Sequence, residues 1–194
     1  MLFDRKGAQD FKNCRWISCQ VGRLSLFQVL DSAFSYYRIL RVDEPTKKCF
    51  SIEKEGDMSG DGRNFCLANF LDQFIFHIGS SRSRRYSLAE DTWEELLHIA
   101  FEQVSACSLI DKVYVFSKSD REFNCINILN NPGASISSKE PPYWDEIRVP
   151  IDALKLRSEV AFVPLNWKEI AILGGVDTSK EYRGGIVTFN RLTH

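Results

Sequence analysis

Four short apolar runs separated by turn residues fill the stretch Asn64–Leu97, and they constrain the fold more than any other feature of the chain. Phe65–Phe70 is the first run, closed by a turn at Leu71-Asp72. Phe74–Ile78 is the second, broken by Gly79-Ser80-Ser81. Arg84–Leu88 is the third, and Glu90-Asp91 turns the chain into Trp93–Leu97. Runs of this length with turn residues between them predict the strands of a sandwich, barrel or propeller.

The unit recurs. Its most informative anchor is an aromatic at the end of the third strand, then a turn, then Trp seven positions on, as in Tyr86 and Trp93. Val42 to Cys49 repeats the frame, with Asp43, Pro45 and Thr46 as turn formers. Leu129 leads to Trp144 across the longer segment Asn130–Pro142, and Phe189–His194 begins the frame again. Around these anchors the predicted strands are Trp16–Val21, Leu24–Leu30, Tyr37–Val42 and Cys49–Glu53 in one unit. A later unit holds Ser105–Ile110, Val113–Phe116, Cys125–Leu129 and Trp144–Val149. The last holds Glu159–Leu165, Glu169–Leu173 and Gly184–Phe189, without a fourth strand. The units fall near 15–55, 63–98, 104–150 and 158–194, with 1–14 a terminal strand or the remnant of a preceding unit. Glu90–Val104 also fits helical spacing at Trp93, Leu96, Leu97 and Ala100, but the recurrence of strands around it favours sheet.

Composition narrows the function classes. The 194 residues are 44% hydrophobic and 26% charged, an ordinary globular balance. A net charge of −1 supplies no global basic field for nucleic acid. No apolar run approaches the roughly 20 residues of a membrane-spanning helix, and the first ten residues lack the apolar core of a signal peptide. The six cysteines form no C-x-x-C pair, which points to reduced, buried thiols in a cytoplasmic protein. Three scattered histidines leave no expectation of a metal or cofactor. The acidic loop Gly56–Gly62 lacks the glycine and the final glutamate of a calcium loop. Arg84-Arg85-Tyr86-Ser87 has the form of a basophilic kinase target, although Ser87 is expected in a strand.

A second strand ending in Gly-Gly, an aromatic frame and a Trp seven residues later together resemble the kelch repeat. The third-strand anchors Val42, Tyr86, Leu129 and Phe189 are spaced 44, 43 and 60 apart, against a kelch period of about 50. The motif residues are Gly79, Tyr86, Trp93, Trp144, Gly174, Gly175 and Phe189. Only Gly174-Gly175 keeps the glycine pair, and Cys49 stands at one Trp position. The resemblance implies an all-β, kelch-like β-propeller of four-stranded antiparallel blades, about four of them present, the last incomplete. Glycines would let the chain leave the second strand at unusual backbone angles, and Trp would anchor the fourth strand between blades. Open blade ends would favour self-association.

The function this implies is a non-catalytic scaffold that binds a protein partner through blade-connecting loops. The basic residues Arg82, Arg84, Arg85, Lys118, Arg121, Arg157, Lys180 and Arg183 gather in those loops, with Ser83 and Tyr182, and suit an acidic peptide or protein. The resemblance also admits a substrate-recognition part of a ubiquitin-ligase adaptor or a cytoskeleton-associated protein. An oxidase or sugar-processing enzyme of kelch type lacks its His, Tyr and Cys density here.

Overall fold

A computed structural model describes residues 15–21, 24–30, 37–43, 48–53, 65–99, 102–118, 124–149, 157–158, 160–177, 181 and 184–193. They divide into two compact units, Met1–Arg63 and Asn64–His194. In the first unit β1 (Arg15–Val21), β2 (Leu24–Leu30), β3 (Tyr37–Asp43) and β4 (Lys48–Glu53) form one antiparallel sheet in sequence order. Val42 pairs with Cys49 there, as the repeated frame requires.

The second unit holds two further four-stranded sheets of the same order. One comprises β5 (Phe65–Phe70), β6 (Phe74–Gly79), β7 (Ser83–Ser87) and β8 (Thr92–Glu95). The next comprises β9 (Glu102–Leu109), β10 (Lys112–Lys118), β11 (Asn124–Asn130) and β12 (Tyr143–Arg148). The remaining strands are β13 (Arg157–Ser158), β14 (Ala161–Pro164), β15 (Glu169–Leu173), β16 (Val176–Asp177) and β17 (Ile186–Asn190). Of these, β14, β15 and β17 make a three-stranded sheet, while β13 pairs with β16. All pairings are antiparallel, and no described residue is helical. The helical alternative fails in the described part of Glu90–Val104, which holds a turn, β8, the irregular residues 96–99 and the start of β9. The three main sheets of this unit do not close on themselves among the described residues.

Tight turns make these strands. Leu71 and Asp72 both take positive φ, 51° and 54°, the twist that joins neighbouring antiparallel strands most directly. The amide of Asn69 donates to Asp72 Oδ1 at 2.7 Å and steadies the turn. The Tyr86–Trp93 frame has a similar cause. Tyr86 Oη donates to Asp91 Oδ1 across the turn, Asp91 sits at φ 56°, and the two rings pack at 5.2 Å. Gly174 and Gly175 do leave β15 at positive φ, 63° and 103°. Gly79 behaves differently, remaining in β6 opposite Phe65.

Two apolar cores join the three sheets. Cys66, Ala68, Phe70, Phe76 and Ile78 pack on Val113, Val115 and Leu129. On the other side of β10, Tyr114 and Phe116 pack with Phe162, Ile170, Ile172 and Phe189. A central sheet buried on both faces explains why Val113–Phe116 does not alternate with polar residues. Trp144 completes the first core from β12, and its Nε1 donates to Leu97 O at 2.9 Å, tying the β9–β12 sheet to its neighbour. Trp144→Phe keeps an aromatic ring against the core but deletes that donor together with the pyrrole half of the indole. It should lower stability by about 1 kcal/mol, read as a shift in the urea midpoint at unchanged slope.

Candidate functional site

The segment between β11 and β12 departs most from the repeating pattern. In the β5–β8 sheet the corresponding connection is the four-residue turn 88–91, whereas here twelve residues, Asn131–Pro142, intervene. Long ordered connections of this kind usually serve function rather than connectivity. Local bonds shape it. Ala134 N donates to Asn131 O at 2.9 Å, Ser138 N to Ser135 O at 3.0 Å, and the hydroxyls of Ser135 and Ser137 lie 2.9 Å apart.

Arg85 latches this loop to the β5–β8 sheet. Arg85 and Glu94 are cross-strand partners on β7 and β8, so their side chains share the face turned toward β9–β12. Arg85 Nε and Nη2 reach Glu94 Oε2 at 2.7 and 2.5 Å. Nη1 donates to Pro132 O at 2.5 Å, and the guanidinium carbon lies 4.8 Å from the Phe74 ring centroid. The second carboxylate oxygen of Glu94 accepts from Ile136 N at 3.3 Å. One ion pair therefore holds both ends of a short span of the loop.

Between the loop and β8 lies a cleft of about 400 Å³, lined among others by Phe74, Trp93, Thr92, Glu90, Gly133 and Ser135. A Cβ on Gly133 would meet Phe70 and Phe74 only at 3.7 and 3.9 Å, so the loop is not wedged against the sheet. A second concavity, about 480 Å³, is bordered by Asn131, Ala134, Ser138, Lys139 and Glu140 of the same loop. The first cleft combines aromatic carbon with hydroxyls and carboxylates.

The basic residues expected to form a binding loop are not brought together. The strand expected over Arg84–Leu88 begins one residue earlier, at Ser83, and Arg84 and Arg85 are buried within it, 3% and 4% exposed. This corrects their reading as partner-binding side chains. Strand alternation sends them to opposite faces, Arg85 to Glu94 and Arg84 onto the Trp93 ring at 4.2 Å. Arg82 is half-buried, with Glu95 at 4.0 Å. Lys118 closes β10 and Arg157 opens β13. Arg121, Lys180, Tyr182 and Arg183 lie outside the described residues, as does the acidic loop 56–62. Ser87, the kinase-type serine, ends β7 half-buried, and its Oγ accepts from Glu90 N at 3.2 Å.

Of the motif residues, Tyr86, Trp93, Trp144 and Phe189 all serve packing. His77 is fully buried and stacks on Phe65 at 5.2 Å. Among the described residues no group of three or more His, Cys, Asp or Glu is placed to hold a metal. Cys66, Cys107 and Cys125 are free and buried. Burial pushes the Cys107 thiol up to about 12 and, helped by the nearby Glu146 carboxylate, that of Cys125 up to about 11. Cys66 is raised further still, first by burial and then by Cys107. At pH 8 a thiol reagent should label none of these three in the folded chain and all three in urea, by peptide mass mapping. The sign of the pH dependence follows. Unfolded thiols ionise near 8.5, so stability is fully present below that pH and falls as pH rises toward 11 and 12.

No protein-family model matches the chain, and no curated protein matches its sequence.

Proposed function

We propose that this chain is a protein-binding module. In this reading its sheets are propeller-like blades of kelch type, and a partner's extended segment enters the cleft between Asn131–Pro142 and β8. The observation that carries the reading is the latched loop. A twelve-residue connection is held in shape by Arg85 and Glu94, and it borders both concavities described above. A preshaped site lowers the ordering cost that a partner would otherwise meet. The cleft offers Phe74 and Trp93 for apolar contact and the Thr92 hydroxyl for a hydrogen bond. Its cation is already held by Glu94, and Glu90 leaves the rim acidic, so the segment it suits carries apolar and basic side chains rather than acidic ones.

The test is a peptide selected for binding to the whole chain from a random display library. Ser135 is exposed and lines the cleft, so Ser135→Tyr fills the cleft without touching either core. Affinity for the selected peptides should fall at least tenfold while the unfolding midpoint stays in place. Selected peptides that bind Ser135→Tyr as well as the parent chain would remove the cleft from the account.

A further inference from the structure

Among the described residues the three four-stranded sheets end on a fourth strand, and the last sheet ends on its third, β17. The backbone at that end is set up for pairing. Arg191 N donates to Lys168 O at 2.9 Å and Gly174 N to Gly185 O at 3.2 Å. Between these limits the β15–β17 ladder alternates, so Val187 and Phe189 exchange bonds with Ile172 and Ile170. The N–H and C=O groups of Ile186 and Thr188 therefore point to the open side of β17. No described strand pairs with that side. The strand itself carries no lysine, proline or bulge to blunt its edge, and Ile186 is 71% exposed.

Two strands of the chain hold the corresponding place in their own sheets. Thr92-Trp93-Glu94-Glu95-Leu96 and Tyr143-Trp144-Asp145-Glu146-Ile147 share one pattern: aromatic, acid, Glu, aliphatic. They also share one register. Trp93 lies opposite Tyr86 and Trp144 opposite Leu129, the residues equivalent to Phe189. Side chains on the third strand take part in the choice. Asn130 Nδ2 donates to Asp145 Oδ2 at 2.8 Å, two positions along the ladder. Asn190 occupies the place of Asn130, and its Oδ1 accepts from Leu192 N at 3.0 Å, which leaves its Nδ2 to donate. The pattern occurs at 93–96 and 144–147 and nowhere else in the 194 residues, and both copies are engaged in their own sheets.

We propose that the open edge of β17 binds, as an added antiparallel strand, an acidic segment of a partner protein with the pattern aromatic-Asp/Glu-Glu-aliphatic. The aromatic lies opposite Phe189 and packs toward the β9–β12 sheet, as Trp144 packs toward β5–β8. The first acid lies opposite Thr188, within reach of the Asn190 amide. The aliphatic covers Ile186. Main-chain bonds to Ile186 and Thr188 supply affinity, and the side chains supply selection. This site is separate from the cleft at Asn131–Pro142 and stands without it.

The probe is a fluorescein-labelled peptide of the sequence Pro142–Val149, PYWDEIRV, titrated with the whole chain and followed by anisotropy. Saturable binding is expected, and at least tenfold weaker binding to Thr188→Pro, which removes an edge N–H where proline is tolerated. Ser135→Tyr should bind it unchanged, which separates this site from the cleft. Peptides methylated on alternate amide nitrogens need no variant chain. One of the two alternating sets should abolish binding and the other leave it. Absence of saturable binding, equal binding of a scrambled peptide, or equal binding to a folded Thr188→Pro would overturn the proposal. So would equal loss from both methylated sets, or a dimer in light scattering that the peptide does not dissociate, which would assign the edge to a second copy.

Discussion

Phe116→Ala should destabilise the Asn64–His194 unit by about 3–5 kcal/mol, the cost of deleting a fully buried aromatic ring. Phe116 is 0% exposed and lies at the junction of two sheets, its ring 6.0 Å from that of Phe162. Its cluster also contains Tyr114, Ile126, Ile172 and Phe189, drawn from four strands, so collapse around the gap would have to move two sheets at once. Such sites relax poorly, which puts the cost in the upper part of the range. Denaturant melts followed by tryptophan emission measure it. A loss below about 1 kcal/mol would mean that the β9–β12 sheet does not pack on β14–β15–β17 as described.

Arg85→Met should cost about 2–3 kcal/mol, for a different reason. Methionine fills much the same space over Phe74, so little packing is lost. What remains is Glu94 without its cation and Pro132 O without its donor. Breaking a fully buried pair costs about 3–5 kcal/mol. The Glu94 side chain is 36% exposed, and water reaching its carboxylate lowers that figure. The asymmetry of buried charge gives a second expectation. Arg85→Met with Glu94→Leu removes the stranded carboxylate and should recover about 1–2 kcal/mol of the loss. The single change also frees both anchors of Asn131–Pro142, so the backbone amides of that loop should exchange faster than in the parent chain. A single variant as stable as the parent would show that Arg85 is held by nothing it contacts.

Most of the strands were legible because the pattern and the turns agree. Phe65–Phe70, Leu24–Leu30 and Glu169–Leu173 form with the expected ends, since each apolar run stops at residues that favour a tight turn. What misled was polarity. Arg82, Arg84 and Arg85 read as an exposed basic cluster even though Arg84 opens an expected strand; Ser83–Arg85 is buried because Glu94 answers Arg85 and the Trp93 ring covers Arg84. The signal was present in Glu94-Glu95, which the Tyr86–Trp93 frame places opposite Arg85 and Arg84. The same frame held the repeated Trp-acid-Glu-aliphatic pattern, visible only when both fourth strands are set in register. Asn131–Pro142 was recognisable as an insertion. Its latch was not, since Arg85 and Pro132 lie 47 positions apart and nothing local announces their bond.

Hydrogen–deuterium exchange of the whole chain, with and without a selected peptide, tests most directly whether this protein is a binding module that works through the latched loop. The account predicts protection concentrated in Asn131–Pro142 and in the Glu90–Glu94 segment across the cleft, with the sheet cores unchanged. Protection confined to other loops, with Asn131–Pro142 exchanging as in the free chain, would contradict it.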